Sequence, residues 1–133
     1  MDIQANNELY NSLKKYNLGL TNNFGNTILD VPPVNPKFPF TLLQCIRDVS
    51  VSEAKHGKIS DKAYRLDIFA QDKGKFNRRL IAENIANQVD EFMGYVGLKR
   101  VSYNFIDVEG EGALAHIILT YSANLDEYRR RFF

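Results

Sequence analysis

The chain has 133 residues, 44% of them hydrophobic and 25% charged, with a formal net charge of +1. That length holds one core and composition is that of an ordinary globular protein, while near-neutrality gives no global reason for a nucleic-acid or acidic partner. One cysteine, Cys45 in the apolar run Leu42-Leu43-Gln44-Cys45-Ile46, excludes an internal disulfide, and its setting reads as a small buried hydrophobe.

The N-terminus, Met1 to Glu8, has neither a basic leader nor a long apolar stretch, so no signal peptide is expected. No segment approaches the length of a membrane span, and the expectation is a soluble protein made in a cytoplasm, with no membrane contact. Ile3, Leu9, Tyr10 and Leu13 form a partial stripe that predicts a first helix from Ile3 to Tyr16, capped by Asp2 and ending in Lys14 and Lys15. Residues 18–37 are then heavily punctuated by Gly19, Gly25, Pro32, Pro33 and Pro36. Leu18, Leu20, Phe24, Ile28, Leu29, Val31 and Val34 make this stretch too apolar for a free linker. It either wraps its own domain or orders against a neighbouring subunit.

Period-two alternation predicts strands over Phe38 to Asp48 and Ala63 to Gln71. The polar stretch between them, Val49 to Lys62, reads as a long two-stranded hairpin arm, of the kind that serves contacts with another chain. Phe76, Leu80, Ile85, Val89, Phe92 and Met93 recur at helical spacing and predict a central helix from Lys75 to Gly94, with Gly97 as the left-handed cap. Strands over Val101 to Asp107 and Ala113 to Tyr121 follow, joined by the turn Glu109-Gly110-Glu111-Gly112.

The fold class expected is α+β: a small, mostly antiparallel four-stranded sheet packed by an N-terminal helix and one central amphipathic helix, with a long β-hairpin arm. Residues 1–133 form one domain, divided into a helix at 1–17, an irregular segment at 18–37, a β-β-α-β-β core at 38–121 and a C-terminal tail at 122–133.

Chemistry is sparse. Asp107, Glu109 and Glu111 near His116 could suggest metal binding or acid–base work, but they offer too few ligands at a recognised spacing. His56 has no sequence link to Cys45 as a nucleophile pair. Gln71-Asp72-Lys73-Gly74-Lys75 has one glycine and reads as a strand-to-helix connection with Asp72 or a neighbour as cap, not a phosphate loop. No catalytic residue, metal or cofactor is expected. The end, Tyr128-Arg129-Arg130-Arg131-Phe132-Phe133, mixes arginines with aromatics, which suits docking on protein better than binding nucleic acid.

The order of elements carries a resemblance. An aromatic strand opening, Phe38-Pro39-Phe40-Thr41-Leu42-Leu43, is followed by a long polar hairpin returning as Tyr64-Arg65-Leu66-Asp67-Ile68-Phe69. A helix bearing Leu80-Ile81-Ala82, Ile85-Ala86 and Val89-Asp90 leads through Gly97-Leu98 to a hairpin ending Ile117-Ile118-Leu119-Thr120-Tyr121. This resembles the tail terminator and tail completion (neck) proteins of long-tailed bacteriophages. The resemblance implies a virion structural protein, not an enzyme, forming a homo-oligomeric ring, usually a hexamer, at the head-proximal end of the tail. Such a ring ends tube polymerisation and meets the tail tube protein on one side and a head-completion or connector protein on the other. The alternatives are a neck adaptor of similar fold, or a non-phage α+β module that binds nucleic acid or protein. Expected subunit or partner contacts are Phe24, Ile28 and Val34 from the irregular segment, Val51, His56, Lys58 and Ile59 from the arm, and Tyr128, Phe132 and Phe133 from the end. Arg129, Arg130 and Arg131 are expected to meet a partner or passing DNA in the lumen.

Overall fold

A computed structural model describes residues 3–18, 24–54 and 57–133. The elements in chain order are α1 (Ile3–Leu18), β1 (Thr27–Leu29), β2 (Phe40–Ala54), β3 (Gly57–Ala70), α2 (Arg78–Tyr95), β4 (Lys99–Val108), β5 (Leu114–Asp126) and β6 (Arg131–Phe132). The strands form one six-stranded sheet in the order β1-β2-β3-β5-β4, with β6 added to the end of β5. Every pairing is antiparallel except β1 with β2. The α+β class therefore holds, but the expected four strands become six.

The two additional strands come from segments that lack strand periodicity. β1 lies inside the proline-bearing segment and pairs over only Thr27↔Phe40 to Leu29↔Leu42. It is held by a buried polar knot: Asn17 Nδ2 donates to the Asn26 carbonyl (2.7 Å), Asn26 Nδ2 to Asn17 Oδ1 (3.0 Å), and Thr41 Oγ1 to Asn26 Oδ1 (3.1 Å). β6 folds back through a turn in which Arg130 has φ 57, and Phe133 exchanges two backbone hydrogen bonds with Asn124.

One face of the sheet carries the core. Tyr64, Leu66, Ile68 and Ala70 of β3 and Ala115, Ile117, Leu119 and Tyr121 of β5 are buried against α2 and α1. α2 begins at Arg78 rather than Lys75, because Asn77 caps it by accepting from the Leu80 amide (2.7 Å), while Lys73 and Phe76 pair as a small bridge outside it. The buried stripe is correspondingly re-phased to Ile81, Ala82, Ile85, Ala86, Val89, Phe92 and Met93, and Leu80, expected in the stripe, is 48% exposed. At the other end Gly97 takes φ +98, and the Leu98 amide reaches back to the Met93 carbonyl (2.9 Å), the closing bond of a left-handed helix cap. α1 is anchored by buried Leu9 and Leu13, worth roughly 3–6 kcal/mol together, which offsets the marginal stability of a helix this short.

Candidate interaction surfaces

The opposite face of the sheet carries no helix among the described residues. Along it run Phe40 (β2), Phe69 (β3) and His116 (β5), stacked with ring centroids 4.8 Å and 4.2 Å apart. Beside them Arg65 Nε donates to Asp67 Oδ1 (2.7 Å), and His116 Nε2 lies 3.6 Å from Asp67 Oδ2. Burial pushes the His116 pKa down, against the raising effect of Asp67.

The acidic group weighed as an acid–base site does not converge. Asp107 stands opposite Ala115 and His116 opposite Ile106, so the strand register puts the two side chains on opposite faces of the sheet. Arg78 occupies Asp107 through Nε and Nη2 at 2.7 and 3.1 Å, and Glu109 belongs to the exposed turn. Cys45 is half-buried, its thiol pKa pushed up by burial, and its Sγ lies 3.5 Å from the Arg47 carbonyl oxygen. Asp72, read as a possible cap, accepts from the Arg78 amide (2.7 Å) and so supports the helix start that Asn77 sets. Among the described residues no three His, Cys, Asp or Glu side chains are placed to hold a metal, and no helix is long and apolar enough to cross a membrane.

The two long strands of the arm run out to the pairing Ala54↔Gly57. It is not two-stranded over its whole length, because β5 accompanies β3 as far as Asp126↔Ile59. The Glu127 amide donates to the Lys58 carbonyl, and Lys58 Nζ lies 3.5 Å from Glu127 Oε2, so the arm is braced from the side. Lys62 is fully buried and paired with Asp48 at 2.8 Å.

The expected contact residues fall into different settings. Val34, Val51, Tyr128 and Phe133 are exposed, while Lys58 and Ile59 are half-buried. Phe24 is half-buried against the core, its ring 5.2 Å from that of Phe76 and its carbonyl accepting from Lys73. Ile28 is 2% exposed and belongs to the core, because β1 turns it inward; it faces the chain's own interior. Phe132 is half-buried with its ring edge-on to Tyr64 at 5.9 Å. The end of the chain thus docks on its own sheet. Arg130 pairs with Glu8 (2.8 Å) and Arg129 lies 3.9 Å from Asp126, and all three arginines are exposed. His56 lies outside the described residues.

Three β-bulges among the described strands were not legible from alternation. They fall between Cys45 and Arg47, between Ser50 and Ser52, and between Arg100 and Ser102, all on the edge strands β2 and β4. The extra residues are Ile46, Val51 and Val101, exposed by 52%, 56% and 63%. Edge strands that stay in water are usually blunted with charge or proline, and these rims carry exposed aliphatic residues instead. Of the three, Val51 is among the expected contact residues. The available signal was the run Cys45-Ile46-Arg47, where an apolar residue interrupts the alternation.

The family model described as tail completion protein gp17 matches residues 9–126, which takes in α1 from Leu9, α2 and the sheet through the end of β5. No curated protein matches the chain.

Proposed function

The chain belongs to the family of tail completion protein gp17, structural proteins of bacteriophage tails, and from that premise we propose that it forms a homo-oligomeric ring at the head-proximal end of a tail. The ring, a hexamer in this reading, ends polymerisation of the tail tube and joins the tail to the head connector. The observation that carries it is the set of exposed aliphatic residues on the outer half of β2, Ile46, Val49 and Val51. They lie on a strand that projects past its β1 neighbour and has no core of its own to bury them.

Within that reading the arm residues Val51, Lys58 and Ile59, together with Phe24 and Val34, supply contacts between subunits. The exposed Tyr128 and Phe133 meet a tube or connector subunit. Arg131 is the arginine best placed to meet passing DNA, since Glu8 and Asp126 already engage Arg130 and Arg129. The chain acts in the virion as scaffold and adaptor, and chemistry on a substrate has no place in this reading.

A phage with this gene interrupted tests it. Electron microscopy of the lysate should show DNA-filled heads without tails, and free tails longer than those of the parent. Free tails of parental length would reduce the role to head joining by a neck adaptor. Normal particles would sink the reading altogether.

A further inference from the structure

Both edges of the sheet are open, and they match each other. β4 pairs with β5 alone, and β2 beyond Leu42 pairs with β3 alone, among the described residues. β2 and β5 run one way and β3 and β4 the other, so a neighbouring copy in the same orientation presents its β2 antiparallel to β4.

The bulges fix which residues meet. On β4, Arg100, Tyr103 and Phe105 pair with Tyr121, Leu119 and Ile117 and share the core face of the sheet. On β2, Ser50 and Asp48 pair with Ser60 and Lys62 and share that same face, because β3 alternates without a bulge from Tyr64 outward, and Glu53 holds the register position opposite Lys58. The spacing on each strand is three residues and then two, and the step of three is the bulge in both. Two edges whose irregularities coincide can pair with all their side chains in phase, whereas a one-residue slip would turn every one to the wrong face.

We propose that the β4 edge of one copy pairs antiparallel with the outer half of β2 in the next, with Arg100 opposite Glu53, Tyr103 opposite Ser50 and Phe105 opposite Asp48. This rests on the ring reading and specifies the contact that builds the ring. The occupant is a second copy of this chain, argued from strand polarity and from the coincident bulges. In that register Val101 stands opposite Ser52 and Val51 opposite Ser102, so the contact covers both exposed valines. Two different edges meet, so the contact is heterologous and propagates until rotation closes it.

The test uses the phage lacking the gene, complemented by chains in the Cys45→Ala background. Opposed residues of an antiparallel pair have Cα atoms about 4.5–5.5 Å apart, within disulfide range. Particles carrying Ser50→Cys with Tyr103→Cys should, on oxidation, give a non-reducing ladder of dimers, trimers and higher multiples, while each single cysteine stays monomeric. No ladder from particles that hold several copies of the chain would overturn the edge contact and leave the ring standing. Dimers from Ser50→Cys alone would overturn it too, by showing β2 against β2. One copy per tail, counted by mass spectrometry, would remove the ring and this contact with it. As a second measurement, Val51→Lys with Val101→Lys should leave the melting temperature of the purified chain unchanged and cut incorporation into tails by tenfold or more; undiminished incorporation overturns the proposal.

Discussion

The carbonyl oxygen of Phe132 lies 3.0 Å from the point where a side chain on Gly97 would place its first carbon. The last strand of the chain is therefore seated directly on the cap of the central helix, and Gly97 is needed twice: for its φ of +98 and for this approach. Gly97→Ala should cost about 1–3 kcal/mol from backbone strain, with a further loss from displacing Phe132. Urea denaturation of the variant should show the lower midpoint, and an unchanged midpoint would show that the last strand yields to the added carbon without loss.

The knot of Asn17, Asn26 and Thr41 holds the short strand β1 in place together with Tyr10, whose hydroxyl donates to the Ile28 carbonyl (3.1 Å). Asn26→Ala removes the acceptor of Thr41 Oγ1 and the donor to Asn17 Oδ1 while both partners remain buried. Each such loss costs about 1–3 kcal/mol, so the variant should be destabilised by about 2–6 kcal/mol, and amide exchange should accelerate most at Thr27 to Leu29. Equal acceleration across α2 would show that β1 is not anchored locally.

These two cases show why the fold was only partly legible in the sequence. The strands of the core and both helices announce themselves by period, since Tyr64, Leu66 and Ile68 alternate and Ile81, Ile85 and Val89 recur by the turn. β1 and β6 do not, because each is placed by tertiary bonds: side chains of Asn17 and Thr41 for one, the backbone of Asn124 for the other. Ile28 looked free for a partner for the same reason, since nothing local shows that β1 turns it inward. Of the exposed aliphatic residues at the bulges, Val51 could be picked out in the polar arm. Ile46 and Val101 could not, because a bulge is a mismatch between two strands and is written in neither alone.

Tyr121 and Asp90 join the sheet to the helix through one hydrogen bond, the phenol donating to Asp90 Oδ1 at 2.7 Å. Burial is the main cause that drives the Tyr121 pKa far upward, and the neighbouring carboxylate adds to it. Tyr121→Phe keeps the ring and deletes the bond. A bond to a charged group is worth about 1.5–3 kcal/mol, less here because Asp90 is partly exposed and also within 3.5 Å of Arg100. A loss of about 1–2 kcal/mol in thermal or urea denaturation is expected, with the m-value unchanged, since the apolar packing is retained.

His116 supplies the pH dependence. Its folded pKa is depressed, first by burial beside the Phe69 ring and then by Arg65, while Asp67 pulls the other way. The unfolded chain therefore binds the proton more readily than the folded one. The contribution of neutral His116 to stability is full above the unfolded value, about 6.5, and is lost as pH falls through it towards the lower folded value. Urea midpoints at about pH 8 and pH 5 separate this from the carboxylates, if the same pair is measured for His116→Gln. The variant should lose less stability on acidification than the parent does. A larger loss in the variant would mean that Asp67 outweighs burial at this site, so that the folded protein holds the proton and the stacked face of the sheet carries a charge in acid.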